Sequence, residues 1–183
     1  SNAVFIHANR RISIGSSGGT VANNGSYALD VLGNISSTGA VTLTGGDITF
    51  GNIAVSNASP IFVKSTGNIV QSASSTVSTA GGAITYWSDS DGSGDGKILV
   101  TNGVSGSLTQ VHANGGNIVM GGGSGANAAA GMARGNQGVQ VGNYASVLAG
   151  AGNVTIQGES NANQGKGVLV GTNSTVSGTH VTL

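Results

Sequence analysis

The chain has 183 residues, of which 34 are Gly, one is Pro and none is Cys; charged residues make up only 7% and cancel to a net charge of zero. An ordinary globular domain is roughly a quarter charged, so a basic stripe for nucleic acid and a polybasic membrane anchor are both excluded. So are a disulfide scaffold and a Cys-ligated zinc site, and no apolar run approaches the ~18 residues of a spanning helix. Yet 38% of the residues are hydrophobic and mean hydropathy is +0.14. That is too apolar for a solvated tail, so part of the chain is buried in a regular way.

In chain order, Ser1-Asn2-Ala3 reads as an expression scar, and residues 4–183 read as one solenoid segment of a larger protein. Apolar residues then recur two apart, at Ile12/Ile14, Val41/Leu43, Ile48/Phe50, Ile53/Val55, Ile61/Val63 and Ile84/Tyr86. They continue at Ile98/Val100, Ile118/Met120, Val139/Val141, Val154/Ile156, Val168/Val170 and Val181/Leu183. A spacing of two puts both side chains on one face of a strand, and most of these residues are β-branched. No useful run has the three-and-four spacing of a helix.

The punctuation is equally regular. Gly-Asn-Ile or Gly-Asn-Val recurs at Gly33, Gly51, Gly67, Gly116 and Gly152, with close variants at Gly39, Gly46 and Gly82. Because Gly reaches positive φ freely and Asn tolerates it, each step predicts a sharp corner before a strand. Short strands kept and loops varied is the pattern of a solenoid. Helical and leucine-rich repeats lack their signatures here, and propeller blades need longer strands. The fold predicted is therefore an all-β parallel β-helix (β-solenoid) with three short strands per coil and about seven or eight coils. Ordering costs ~1–2 kcal/mol per residue, so no coil is stable alone and burial must accumulate along the stack.

Two stretches break the rhythm. Gly121–Gly135 predicts a loop pushed out of the stack, with one helical turn at Asn127–Ala130. Ser88–Gly96 is a second excursion and carries three of the six acids. There Asp89, Asp91, Ser93 and Asp95 alternate along a Gly-rich loop, a spacing with which oxygen ligands can wrap a calcium ion. The twelfth position is Val100 where an EF-hand needs Glu, so the alternative is a polar turn whose acids keep a sheet edge soluble. No other cofactor is expected. Gly158–Lys166 lacks the spacing of a phosphate loop, and His7, His112 and His180 show no ligand spacing. Trp87 and Arg134, on or beside the two excursions, are the candidate partner-binding residues.

The string Ala80-Gly-Gly-Ala-Ile-Thr-Tyr-Trp-Ser-Asp-Ser-Asp-Gly-Ser-Gly-Asp-Gly-Lys-Ile98, with Gly115–Gly123 and Gly150–Gly158, resembles a known family. It is similar to the repeat regions of large bacterial surface adhesins, the filamentous-haemagglutinin-like exoproteins of two-partner secretion and their autotransporter-like relatives. A fainter likeness, at Arg11-Ile-Ser-Ile-Gly and Tyr27–Ile35, is to trimeric phage tail-fibre repeats. The adhesin resemblance implies a right-handed β-helix, an extracellular place on the bacterial surface, and a non-enzymatic role as stalk or adhesive shaft. Its expected partner is a receptor or glycan on a host or neighbouring cell, without nucleic acid or membrane insertion. Exposed coil ends add an expectation of end-to-end self-association. The alternative is a carbohydrate-binding or polysaccharide-degrading module on the same fold, since β-helices host such enzymes.

Overall fold

The computed structural model describes residues 4–6, 11–13, 18–22, 28–31, 33–124, 132–163 and 165–183. Coil 1 holds β1 (Val4–Ile6), β2 (Arg11–Ser13) and β3 (Gly18–Ala22); coil 2 holds β4 (Leu29–Val31), β5 (Asn34–Ser37) and β6 (Ala40–Gly45). Coil 3 follows with β7 (Ile48–Phe50), β8 (Ile53–Val55) and β9 (Ile61–Ser65), and coil 4 with β10 (Ile69–Gln71), β11 (Thr76–Thr79) and β12 (Ile84–Ser88). Coil 5 is β13 (Ile98–Val100), β14 (Thr109–His112) and β15 (Ile118–Gly122). Each of the last two coils has an added strand. Coil 6 runs β16 (Ala133–Gly135), β17 (Gln137–Val141), β18 (Ala145–Leu148) and β19 (Val154–Ile156); coil 7 runs β20 (Gly158–Ser160), β21 (Lys166–Val170), β22 (Thr175–Ser177) and β23 (Val181–Thr182).

Every third main strand pairs in parallel, giving three seven-stranded sheets, and β16 pairs with β20 in a two-stranded fourth. The chain is a parallel β-helix with three main faces. At ~4.8 Å per coil, seven coils span about 30 Å.

In-register stacking turns the inward residues into columns. Leu29, Ile48, Ile69, Ile98, Val139 and Val168 stack on the first face. Ile35, Ile53, Val77, Val111, Val147 and Val176 stack on the second. Val41, Ile61, Ile84, Ile118, Val154 and Val181 form the third. Residues from Leu29 to Ile156 share one hydrophobic core. The outermost coil is barer, with Val170, Val181 and Leu183 exposed.

The twelve apolar pairs fall mostly on the first and third faces. The second face is harder to read because small or hydroxyl residues, Ser37, Thr79, Thr109 and Ala145, occupy four of the ten inward positions of β5, β8, β11, β14 and β18. Their polar atoms are satisfied inside the stack. Thr79 Oγ1 donates to the Gly82 carbonyl at 2.6 Å, and Thr109 Oγ1 accepts from the Ser74 amide at 2.8 Å.

The Gly-Asn corners exist, but their physical basis differs from the one expected. Gly67, Gly82, Gly116 and Gly152 are outside the left-handed region; ahead of the last three, positive φ falls on Gly81, Gly115 and Gly150. What demands glycine is close approach between coils. A Cβ on Gly152 would lie 2.1 Å from the Gly116 carbonyl oxygen, and one on Gly116 2.2 Å from that of Gly82. The Asn that follows acts as a spacer with an acceptor. Asn117 Oδ1 takes the backbone N–H of Asn153 at 2.9 Å, and Asn68 Oδ1 takes that of Lys97 at 3.0 Å. Asn102 and Asn143 do the same for Asn143 and Thr172, both at 2.8 Å.

On the first face one polar side chain interrupts the core column among the described residues. Gln71 stacks between Phe50 and Val100 and is fully buried. Its Nε2 donates to the Gln110 carbonyl at 2.9 Å, and its Oε1 accepts from the Tyr86 hydroxyl at 3.0 Å. Tyr86 meets Phe50 edge-on, with ring centroids 5.5 Å apart. Burial raises the Tyr86 pKa well above 10.0.

Two predictions follow from this packing. Gly152→Ala should cost about 1–3 kcal/mol through backbone overpacking, whereas Asn143→Ala, at an exposed corner open to water, should cost less than ~1 kcal/mol; urea midpoints read the difference. Because the folded state holds the Tyr86 phenol neutral, stability should be intact below pH 10.0 and fall above it, where the unfolded phenol loses its proton. Tyr86→Phe should flatten that alkaline decline in pH-dependent denaturation. At neutral pH it should cost about 1–3 kcal/mol by stranding Gln71 Oε1.

Candidate functional site: one elaborated corner

The largest departures from the minimal coil fall at one place, the corner where the third face passes to the first. In coils 2 and 3 that corner takes two or three residues, at 46–47 and 66–68. In coil 4 it is the stretch 89–97, after coil 5 it is 123–136, and after coil 6 it is 157–165. The described parts of these insertions lie over one another along the stack and build a lateral ridge.

The predicted excursion at Ser88–Gly96 is the first layer. Asp89 is fully buried and sits at φ 48. Its Oδ1 accepts from Ser93 Oγ at 3.1 Å and from the Gly94 amide at 2.9 Å, while Oδ2 is buried without a hydrogen bond. Asp91 is exposed and its Oδ1 accepts from the Ser93 amide at 3.2 Å. Asp89 thus braces the loop from inside, while Asp91 closes a turn on its exposed side. Asp95 stands apart, exposed on the flank. Among the described residues no group of three or more His, Cys, Asp or Glu gathers to hold a metal.

The second excursion ends differently from the loop expected. Ala133–Gly135 is a strand, because it finds a partner in Gly158–Ser160 of the next coil. The predicted helical turn at Asn127–Ala130 lies outside the described residues. Arg134 joins the two layers through its backbone: its N–H donates to the Gly96 carbonyl and its carbonyl accepts from the Gly96 amide, both at 2.9 Å. The Arg134 guanidinium pairs with Glu159 on the adjacent strand, Nε to Oε2 at 3.0 Å, in a half-exposed ion pair. Such pairs contribute little to stability.

Trp87 lies outside this arrangement. Its ring is 6% exposed, registered between Lys64 and Gly121, with Lys64 Nζ 4.3 Å from the ring centroid. The indole N–H donates to the Gly123 carbonyl at 2.8 Å and Phe62 packs edge-on at 6.2 Å. A ring covered in this way offers no open face for a sugar to stack on.

What the ridge does create is a polar groove of about 320 Å³, lined by Asn68, Asp95, Lys97, Gly135, Asn136 and Asn161. Of these, only Asp95 belonged to the candidate set read from the sequence. Asn136 and Asn161 carried no sequence signal, since they come from different coils and meet only when β16 and β20 pair. Their backbones are tied together: Ser160 Oγ donates to the Asn136 carbonyl at 3.0 Å, and the Asn161 amide to the Gly135 carbonyl at 3.0 Å. The groove thus brings Asp95 together with Lys97, while Asp89 lies beneath the loop and Arg134 on the ridge.

Compared with known proteins, the chain matches no family model, no curated protein and no solved structure. Its class is given by its own geometry, a parallel β-helix with a polar groove at an elaborated corner.

The loop bracing is open to test. Asp89→Ala removes the acceptor for Ser93 and Gly94 and should cost about 1–3 kcal/mol. Asp89→Asn keeps an acceptor and should cost less, and Asp91→Ala, at an exposed position, should stay within about 0.5 kcal/mol. Denaturation midpoints that rank the three in another order would refute the assignment of Asp89 as the brace.

Proposed function

We propose that this chain is a structural and adhesive shaft segment of a large bacterial surface adhesin, exported from the cell and attaching it to a receptor or glycan on another surface. The observation that carries the reading is the continuity of the stack. One core runs from Leu29 to Ile156 beneath three parallel sheets. Rods of this kind hold their ends at a set distance without flexible linkers. Their corners can take insertions that leave the core untouched, which is where contacts with other molecules are expected. Low charge suits the role as well, since it leaves no strong field to recruit nucleic acid.

A catalytic role has less support. Glycoside hydrolysis ordinarily uses two carboxylates flanking the scissile bond, and the groove presents one, Asp95. Asp47 is engaged in a corner ladder with Asn68, and Glu159 is paired with Arg134. Calcium has no part in the reading, because one oxygen each of Asp89 and Asp91 already holds the loop and Asp95 stands apart on its flank.

The test has two arms. Beads coated with the chain should adhere to mammalian or bacterial cells above bare beads, and a panel of soluble polysaccharides incubated with it should keep its size on chromatography. Beads that fail to adhere to any cell would remove the adhesive part of the reading. Polymer shortening that disappears in Asp95→Ala would replace it with a polysaccharide-degrading enzyme.

A further inference from the structure

We infer that the groove at the elaborated corner is a binding subsite for a neutral glycan, taking one or two sugar rings through hydroxyl contacts. The inference rests on the adhesive reading above and adds the ligand class and the residues that select it.

Four of the side chains that line the groove are unengaged. Asp95, Lys97, Asn136 and Asn161 are exposed, and none of the four makes a side-chain hydrogen bond or ion pair among the described residues. Elsewhere on this protein corner asparagines are engaged in ladders, as Asn68 is with Asp47 and Lys97 in the groove floor. Asn136 and Asn161 depart from that use. Each carboxamide offers a donor and an acceptor, Asp95 offers acceptors only and Lys97 donors only. Vicinal sugar hydroxyls, each both donor and acceptor, complement such a mixed set.

The positions are preorganised. Asp95 and Lys97 flank Gly96, whose amide and carbonyl are both bonded to Arg134. Residues two apart in an extended segment share a side, so this clamp aims both into the groove. Asn136 and Asn161 are fixed opposite them by the Ser160 and Gly135 bonds already described. Backbone ordering is thus complete before a ligand arrives, which leaves only side-chain rotamers to be fixed on binding.

Charge selects the ligand. Within the lining Asp95 and Lys97 cancel, and Arg134 on the ridge is paired with Glu159. Within the lining, a sulfated or sialylated chain would meet only the charge of Lys97, which Asp95 offsets, and would have Asp95 against it. The volume of about 320 Å³ lies at the small end of ligand pockets, which run from ~300 to ~1,000 Å³. One or two pyranose rings fit that space.

The experiment displays the intact chain at high density, so that weak single sites register by avidity. The probes are neutral glucan, mannan and galactan oligosaccharides and their sulfated counterparts, arrayed on glass. Binding should favour a neutral member. Asp95→Ala combined with Asn161→Ala should reduce it at least about tenfold, the loss of two or more ligand hydrogen bonds. Thr175→Ala, exposed on the second face, is the control and should bind as the parent does. Equal urea midpoints for all three chains establish that folding is intact. Preference for the sulfated probes, retention of binding in the double variant, or no binding to any neutral probe would each overturn the inference. In every such case adhesion of the coated beads to cells would decide the shaft reading separately.

Discussion

The whole structure depends on keeping successive coils in register. A parallel strand leaves half its backbone groups facing the coil above and half facing the coil below, so each coil is satisfied only by its neighbours. Register also decides the core. Side chains alternate along a strand, and a slip of one residue would move an entire inward column to the surface. The columns of Ile and Val on all three faces are the consequence of that rule, repeated from coil to coil.

Corners are where such register is hardest to hold, because the ladder of strand hydrogen bonds stops there. This chain meets the difficulty with two residues in sequence. A glycine lets one coil approach the next to within contact of its carbonyl, as at Gly116 and Gly152. The following Asn or Asp then accepts the amide of its counterpart one coil on, so the ladder continues through side chains. Gly and Asn, which would weaken an ordinary strand, therefore act here as stacking residues. The same logic explains a hydroxyl-rich second face: Thr79 and Thr109 are buried, but each closes a backbone group that the turn leaves open.

A frame so regular separates stability from function. The faces are committed to stacking, which leaves the corners free to vary. This chain enlarges mainly one of them, over coils 4 to 7. Stacked insertions reinforce each other by the rules of the main sheets, as the pairing of β16 with β20 and the Gly96–Arg134 bridge illustrate. Recognition chemistry can then be placed on the ridge without disturbing the core, which is the general way sites are grafted on folds.

The sequence by itself determined the fold class, the three-strand coil and the position of the first excursion. Alternation of β-branched residues and Gly-Asn punctuation are local signals, and they survive without knowledge of any distant contact. Several second-face strands escaped because Ser37, Thr79 and Thr109 look like surface residues until their buried partners are known. Trp87 looked like a binding residue for the reverse reason, since nothing local reveals that Lys64, Phe62 and the Gly123 carbonyl cover it. Asp95 was legible as one acid of a polar loop with Lys97 beside it, but their grouping with Asn136 and Asn161 was not. Those residues come from three successive coils, and only the stacking register places them around one groove. Tertiary structure alone decided that juxtaposition, because in a solenoid the neighbours that matter are one coil away rather than one residue away.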